Sequence, residues 1–315
     1  MRSFDIFVDS AANLTDEMVE TYDIGVVSYT CSIDGKEMEC YEKGKFLQIA
    51  KTFYNAMREG SETKTTLVNS QKIIDAVSPS MREGRDVLFI TISSGISGTY
   101  AQAELAAKEL KTLFPERKML VADSFNASLG EGLFALKAAQ LADMGESIEA
   151  CHKWICDHKL NMHGLCTPAS LKYLKRGGRI STTLAIAGTL LNIKPILRGD
   201  EHGKLVFWCS ERGRRKAISK LVQTFKENVI DPENQTIAIT HADCEEDATE
   251  LANQLKELGA KDIAINVYDL CTGAHAGPGT LALFFLGKER GKTNSEAKEE
   301  SKFAAVKKSK SRAKN

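Results

Sequence analysis

The 315-residue chain has no net charge, because 42 lysines and arginines balance 42 aspartates and glutamates. A neutral balance leaves no bulk electrostatic attraction to nucleic acid or to an anionic membrane surface. The chain also lacks an apolar run of membrane-spanning length, so stable membrane insertion is not expected. Its eight cysteines (Cys31, Cys40, Cys151, Cys156, Cys166, Cys209, Cys244 and Cys271) form no C-x-x-C pair. Reduced, packed thiols in a cytoplasmic protein are expected, rather than disulfides or zinc ligands. The opening stretch MRSFDIFVDSAANL is too short and too acidic for a secretory signal. There is no Walker-type G-K-[ST], no G-x-G-x-x-G fingerprint, no G-x-S-x-G elbow and no helix-turn-helix signature. No cofactor is implied, and a nucleic-acid partner is not expected.

The first half alternates two periodicities. Phe4–Val8 reads as a strand, and Thr15 can cap a helix whose first turn carries Asp16 and Glu17. Phe46, Ile49, Ala50, Phe53, Tyr54 and Met57 recur at helical spacing until Gly60. Asp86–Ile92 is a strand, Tyr100–Phe114 an amphipathic helix, and Met119–Ala122 a further strand, with helices on either side of Gly145. Such alternation predicts an α/β domain with a parallel sheet covered by helices.

The second half reads differently. Thr167-Pro168 is expected to open a short helix with proline at its first position, closed by Gly177-Gly178. The apolar, small-residue segment Leu184–Leu191 follows. Ile196 and Leu197, then Leu205–Trp208, flank a polar turn at 199–203 and predict an antiparallel pair. Gln235–Thr240 and Asp262–Val267 bracket a helix over Glu245–Leu258. This half is expected to be α/β with a mixed or antiparallel sheet. The expected division is residues 1–160, residues 161–290, and a disordered basic tail over 291–315 that cannot bury enough apolar surface to offset its ordering entropy.

Three segments carry candidate chemistry. At the mouth of the strand ending at Ile92, Ser93-Ser94-Gly95-Ile96-Ser97-Gly98-Thr99 places hydroxyls and free backbone N–H groups at the start of a helix. Open α/β sheets bind ligands there, and an anionic head group, phosphate or carboxylate, would suit. As a plain turn, the same stretch would have Thr99 as its helix cap. Thr63-Lys64-Thr65-Thr66 precedes Asn69-Ser70 in a break between helical patterns, where a capped helix start is the structural alternative. His275 lies among small residues in Gly273–Gly279, a loop-like stretch with room for a donor. In addition, Arg179 follows Gly177-Gly178 and could grip an anion bidentately.

In order, these segments resemble the DegV family of bacterial fatty-acid-binding proteins. Phe7-Val8-Asp9-Ser10 is similar to its V-D-S opening, and Asp123-Ser124 to a second D-S. Lys64-Thr65-Thr66 to Asn69 is similar to its T-S-Q segment, with Thr66-Leu67-Val68 departing from Ser-Gln-Pro. Ser93–Tyr100 matches S-S-x-L-S-G-T-Y. Leu174–Ile180 matches L-x-x-G-G-R-I, Leu191–Ile196 matches the last six positions of L-L-x-I-K-P-I, and His275–Gly279 resembles H-x-G-x-G. The likeness covers about residues 4–287, leaving the tail without a counterpart.

The resemblance implies a non-enzymatic, two-domain α/β protein. A long-chain fatty acid would lie in an apolar tunnel, its carboxylate held between the domains. A separate fatty-acid kinase would phosphorylate that carboxylate for phospholipid synthesis. The head-group candidates are Thr65, Ser94, Ser97 and His275, with Thr66 and Ser93 behind them. Arg179, outside the hydroxyl cluster, and Arg212, in a second basic motif beside Arg214 and Arg215, are candidates for phosphoryl transfer or kinase contact. The alternative is a serine hydrolase or acyltransferase using Ser94 or Ser97 with His275.

Overall fold

A computed structural model describes residues 2–180 and 192–291. The apolar segment up to Leu191 and the tail beyond 291 lie outside the described residues. In chain order the elements are β1 (Phe4–Asp9), α1 (Asp16–Thr21), β2 (Ile24–Val27), β3 (Thr30–Ile33), β4 (Lys36–Glu39), α2 (Phe46–Glu59), β5 (Thr63–Thr66), α3 (Ser70–Arg82), β6 (Asp86–Thr91), α4 (Thr99–Leu113), β7 (Met119–Asp123), α5 (Leu129–Asp143) and α6 (Ile148–His158). There follow β8 (Met162–Thr167), α7 (Lys172–Arg176), β9 (Ile193–Gly199), β10 (Leu205–Arg212), α8 (Arg214–Asn228), β11 (Thr236–His241), α9 (Glu245–Lys256), β12 (Asp262–Val267), α10 (Leu270–Ala276) and β13 (Leu281–Leu286).

The fold is α/β. A parallel sheet of order β2-β1-β6-β7 comes from the first half, and a mixed six-stranded sheet of order β10-β9-β8-β13-β11-β12 from the second. In the latter, β11 and β12 run parallel while the remaining pairings are antiparallel. Strand β6 sits inside the parallel sheet, and Val87, Leu88, Phe89 and Ile90 are all fully buried. A strand covered on both faces needs such a continuous apolar run.

Helix α5 explains how the halves meet. It is buried nearly all round, from Leu129 through Ala142, and packs on β1 and β6 of one sheet and on β8, β11 and β13 of the other. One apolar cluster therefore runs from Phe4 and Ile90 through Phe134 to Tyr268 and Phe284.

Several elements differ from the sequence expectations. Thr63–Thr66 is neither a break nor a helix start but strand β5, in a small sheet of order β4-β3-β5. Helix α3 starts afterwards, capped by Asn69, whose side chain accepts from the Lys72 N–H. Pro168 does not open a helix, because β8 pairs with β13 as far as Thr167 and α7 begins only at Lys172. Thr99 is the first residue of α4 rather than its cap, and its hydroxyl is engaged by Tyr29. Among the described residues, no helix is long and apolar enough to cross a membrane.

Candidate functional site

A cavity of about 190 Å³ opens where the carboxyl end of β6 meets the second sheet and α10. Ile92, Ile96, Leu165, Leu174 and Phe284 supply apolar wall, and Thr65, Ser97, Arg179 and His275 border the same space.

The polar wall rests on elements far apart in sequence. Thr65 lies on β5, opposite Cys31 of β3. His275 lies on the short helix α10 rather than in a loop. Asp269 caps that helix by accepting from the Thr272 N–H at 2.9 Å, and Gly277 ends it with φ +82°. Thr65 Oγ1 and His275 Nε2 are 2.8 Å apart. The fit around the ring is close: a Cβ at Gly177 would sit 2.2 Å from His275 Nδ1. Only a glycine at that point of the Gly177-Gly178 turn lets α10 approach so near.

Burial pulls the His275 pKa down to about 4, with Arg179 and then Arg176 adding electrostatic opposition to the imidazolium. The ring is therefore neutral at pH 7, with one nitrogen donating and the other accepting. Arg179, expected outside this cluster, borders the same cavity. Its Nε donates to the Ile96 carbonyl at 3.2 Å and its Nη1 to the Gly177 carbonyl at 2.5 Å.

The hydroxyl loop is held by the two aspartates of the V-D-S and D-S motifs. Asp9 closes β1 and accepts from the N–H groups of Ile92 and Ala11 at 2.9 and 3.0 Å. Asp123 closes β7 and accepts from the N–H groups of Ser94 and Phe125 at 3.1 and 3.2 Å. Asp9 is fully buried, and desolvation raises its pKa to about 7.

Within the loop the serines part ways. Ser93 is buried, donates to the Gly203 carbonyl at 2.7 Å and accepts from the Gly95 N–H at 3.1 Å. It fastens the 200–203 turn onto the loop, so its hydroxyl is largely committed although it borders the cavity. Ser97 shares hydrogen bonds with Tyr29 at 3.1 Å and Thr99 at 3.0 Å, and Tyr29 also contacts Thr99. Ser94 is exposed, as are Thr66 on β5 and Arg212 at the end of β10, and none of the three borders the cavity.

The neighbours of Arg212 differ from a simple basic patch. Arg214 is half-buried and donates to Asp247, to the Thr167 carbonyl and to the Gly279 carbonyl at 2.9, 2.9 and 3.0 Å. Tyr29 was not singled out by the sequence, since a tyrosine between two short strands carries no motif. As for a Ser–His nucleophile, His275 pairs with Thr65 and Ser97 with Tyr29 and Thr99, and no Ser94–His275 or Ser97–His275 hydrogen bond forms among the described residues. No group of three or more His, Cys, Asp or Glu among the described residues is arranged to hold a metal ion.

Two sheets that share a core and border an apolar cavity with one polar wall form an open-sheet α/β architecture, a class of fold in which ligands commonly sit at the carboxyl ends of the strands. Residues 3–288 match the family model described as "Uncharacterised protein, DegV family". The chain is 38% identical over 288 residues to a DegV domain-containing protein of Clostridium perfringens, covering 91% of this chain and 98% of that one. Among solved structures it is similar to a DegV lipid-binding protein from Thermotoga maritima, with 29% identity, TM-score 0.79, and coverage of 92% of this chain and 100% of that one. A DegV-family protein from Thermus thermophilus, described by its fatty-acid binding, aligns at 26% identity with TM-score 0.80, covering 91% and 100%. The chain belongs to the DegV family.

Proposed function

We propose that this protein binds a long-chain fatty acid, with the hydrocarbon in the apolar cavity and the carboxylate against Thr65, Ser97 and His275. The observation that carries this reading is the 2.8 Å Thr65–His275 contact on the wall of an otherwise largely apolar cavity. The lipid- and fatty-acid-binding relatives from Thermotoga and Thermus support it. A carboxylate leaving water needs hydrogen bonds. With Nε2 protonated, neutral His275 donates to Thr65 Oγ1, which frees the threonine hydroxyl hydrogen for the carboxylate. Burying roughly a dozen methylenes at about 0.8 kcal/mol each makes the chain the main source of affinity. The site lies between an N-terminal domain up to about residue 160 and a C-terminal domain beyond it.

The second part of the proposal is presentation. A neutral donor set binds the acid without neutralising its charge, so the carboxylate stays nucleophilic. A cytoplasmic fatty-acid kinase would phosphorylate it, with Arg179, held on the cavity wall by the Ile96 and Gly177 carbonyls, stabilising the charge that develops in transfer and Arg212 at the contact surface. The protein itself would supply no nucleophile and no acid–base group. The test is mass spectrometry of an organic extract of the purified full chain, together with saturable binding of oleate or palmitate. An empty extract and no saturable binding would end the lipid reading. Presentation is tested separately, by acyl-phosphate formation on adding a fatty-acid kinase.

A further inference from the structure

All eight cysteines are free thiols, and three of them meet. Cys31 on β3, Cys40 just past β4 and Cys271 in α10 are each buried. The Cys40 thiol is an immediate neighbour of both others. The backbone accounts for this meeting. The Cys40 N–H donates to the Tyr29 carbonyl at 2.8 Å, which extends the β3–β4 hairpin by one pair, and α10 packs on β3 and β5.

The cluster and the Thr65–His275 pair are built on the same elements. Cys31 is the direct cross-strand partner of Thr65. Cys271 precedes His275 by four residues, one helical turn along the same face of α10. Of the three thiols, Cys271 borders the cavity.

We propose that Cys40 and Cys271 form an oxidative modification site in the cavity wall: a hydroperoxide entering the empty cavity converts them to a disulfide, and an occupant of the cavity shields them. The shielding rests on the fatty-acid reading above, whereas the cross-link does not. In the first step Cys271 gives up its proton and its sulfur attacks one peroxide oxygen. An S–O bond forms, the O–O bond breaks, and the departing oxygen leaves as water with that proton. The Cys40 sulfur then attacks the Cys271 sulfur. The S–S bond forms, the S–O bond breaks, and hydroxide leaves as water with the Cys40 proton. Two thiols are oxidised to one disulfide while one hydrogen peroxide is reduced to two waters.

Burial raises the pKa of Cys40, and Cys271 also lies above its ordinary value. Reaction there is slower than at a thiolate-rich site. Cys156 supplies an internal reference. It is partly exposed, sits 3.9 Å from His152 Nδ1, and its pKa is lowered chiefly by that histidine. Once formed, the Cys40–Cys271 bond would fasten the β3–β4 hairpin to α10 within the short span a disulfide permits.

The test treats the native full chain with hydrogen peroxide, with and without saturating oleate, then blocks free thiols, digests and identifies linked peptides by mass spectrometry. A Cys40–Cys271 peptide should accumulate after Cys156 has oxidised. It should be lost in Cys271→Ala and in Cys40→Ala, and be slowed several-fold by oleate while Cys156 oxidation keeps its rate. Either variant suffices if the other fails to fold. Complete Cys156 oxidation without the linked peptide overturns the proposal. An unchanged rate in protein shown to have bound oleate overturns access through the cavity. If oleate does not bind at all, the lipid reading fails, and the linked peptide still decides the cross-link.

Discussion

Thr65 Oγ1 lies 2.8 Å from His275 Nε2, although 210 positions separate the two residues. The contact joins an edge strand built from the first half to a seven-residue helix of the second. Neither element is long enough to be stable alone. Their meeting is set by the packing of α10 on β3 and β5 and by the glycine that admits the imidazole.

That pair gives the first prediction. Thr65→Ala removes a donor to a charged head group and His275→Ala removes the partner that orients that donor, each a loss of about 1.5–3 kcal/mol, or roughly ten- to a hundredfold in affinity. Titration of oleate into each variant checks this. Because the two residues act as one unit, the double variant should lose little more than either single one. Gly177→Ala should mimic His275→Ala, since the added methyl collides with Nδ1.

The second prediction concerns acid. The folded-state pKa of His275 is about 4, below its ordinary 6.5. The folded protein favours the neutral ring, so this contribution to stability is fully present above pH 6.5 and is lost as pH falls toward 4. Between pH 6.5 and 5 the loss amounts to about 2 kcal/mol for this group. His163, lowered to about 4 by burial, adds to the same slope. Urea unfolding at both pH values should show a smaller difference in His275→Asn than in the wild type. An equal difference would place the imidazole in a solvated setting.

The third prediction separates adjacent serines. Ser93→Ala leaves the Gly203 carbonyl and the Gly95 N–H without their partner, at a cost of about 1–3 kcal/mol in stability. Ser94 is exposed and only its backbone N–H is used, so Ser94→Ala should change stability by less than about 0.5 kcal/mol. It should also leave fatty-acid binding unaltered. Denaturation midpoints and oleate titration check both variants. Weakened binding in Ser94→Ala would return that hydroxyl to the head-group site.

The strand–loop–helix unit around Ser93–Thr99 was legible in the sequence because a buried strand needs a continuous apolar run and α4 repeats at helical spacing. The β3–β5 sheet was not. Its strands are four residues long, and β5 reads Thr-Lys-Thr-Thr without a polar–apolar alternation. His275 looked like a loop residue because Gly, Ala and Pro surround it, yet the Asp269 cap and burial against Tyr54 make that stretch helical. A Cβ at Gly273 would lie 2.1 Å from the Tyr54 hydroxyl, so the glycine there serves packing rather than flexibility. Arg214 reads as surface charge, but its contacts with Asp247, the Cys244 sulfur and the Thr167 and Gly279 carbonyls appear only once β8, α9 and the turn before β13 converge.

The fourth prediction follows from a carboxyl that sequence patterning alone would place on a surface. Glu131 of α5 is fully buried, and neither carboxyl oxygen has a hydrogen-bond partner among the described residues. Desolvation raises its pKa well above 4.5, and the nearby Asp9 and Asp269 push the same way. The folded state therefore holds the proton that the unfolded chain gives up, and stability declines as pH rises above 4.5. Glu131→Gln keeps the shape and cannot ionise. Its unfolding free energy should fall less than that of the wild type between pH 5 and 8. An identical slope for both would show that the carboxyl is hydrated in solution.

Arg179 decides whether binding and transfer are separable. Its guanidinium borders the cavity and is tied to the Ile96 and Gly177 carbonyls. In phosphoryl transfer, charge develops on the oxygens around the transferred group, and a preplaced guanidinium stabilises it. Thr65, oriented by His275, and Ser97 supply the ground-state hydrogen bonds in the proposed complex. Arg179→Ala should therefore retain most fatty-acid affinity yet give little acyl phosphate when reconstituted with a fatty-acid kinase. Arg212 is exposed at the end of β10 and should act through contact with the kinase. Because Arg214 is engaged by Asp247 and two carbonyls, only the exposed Arg215 is left to compensate. Arg212→Ala should then raise the kinase concentration needed for half-maximal turnover more than it lowers the maximal rate. The measurements are oleate binding by each variant alone and turnover across a kinase titration. Normal turnover by Arg179→Ala would remove it from transfer. Loss of oleate binding by that variant would instead make the guanidinium part of the carboxylate site.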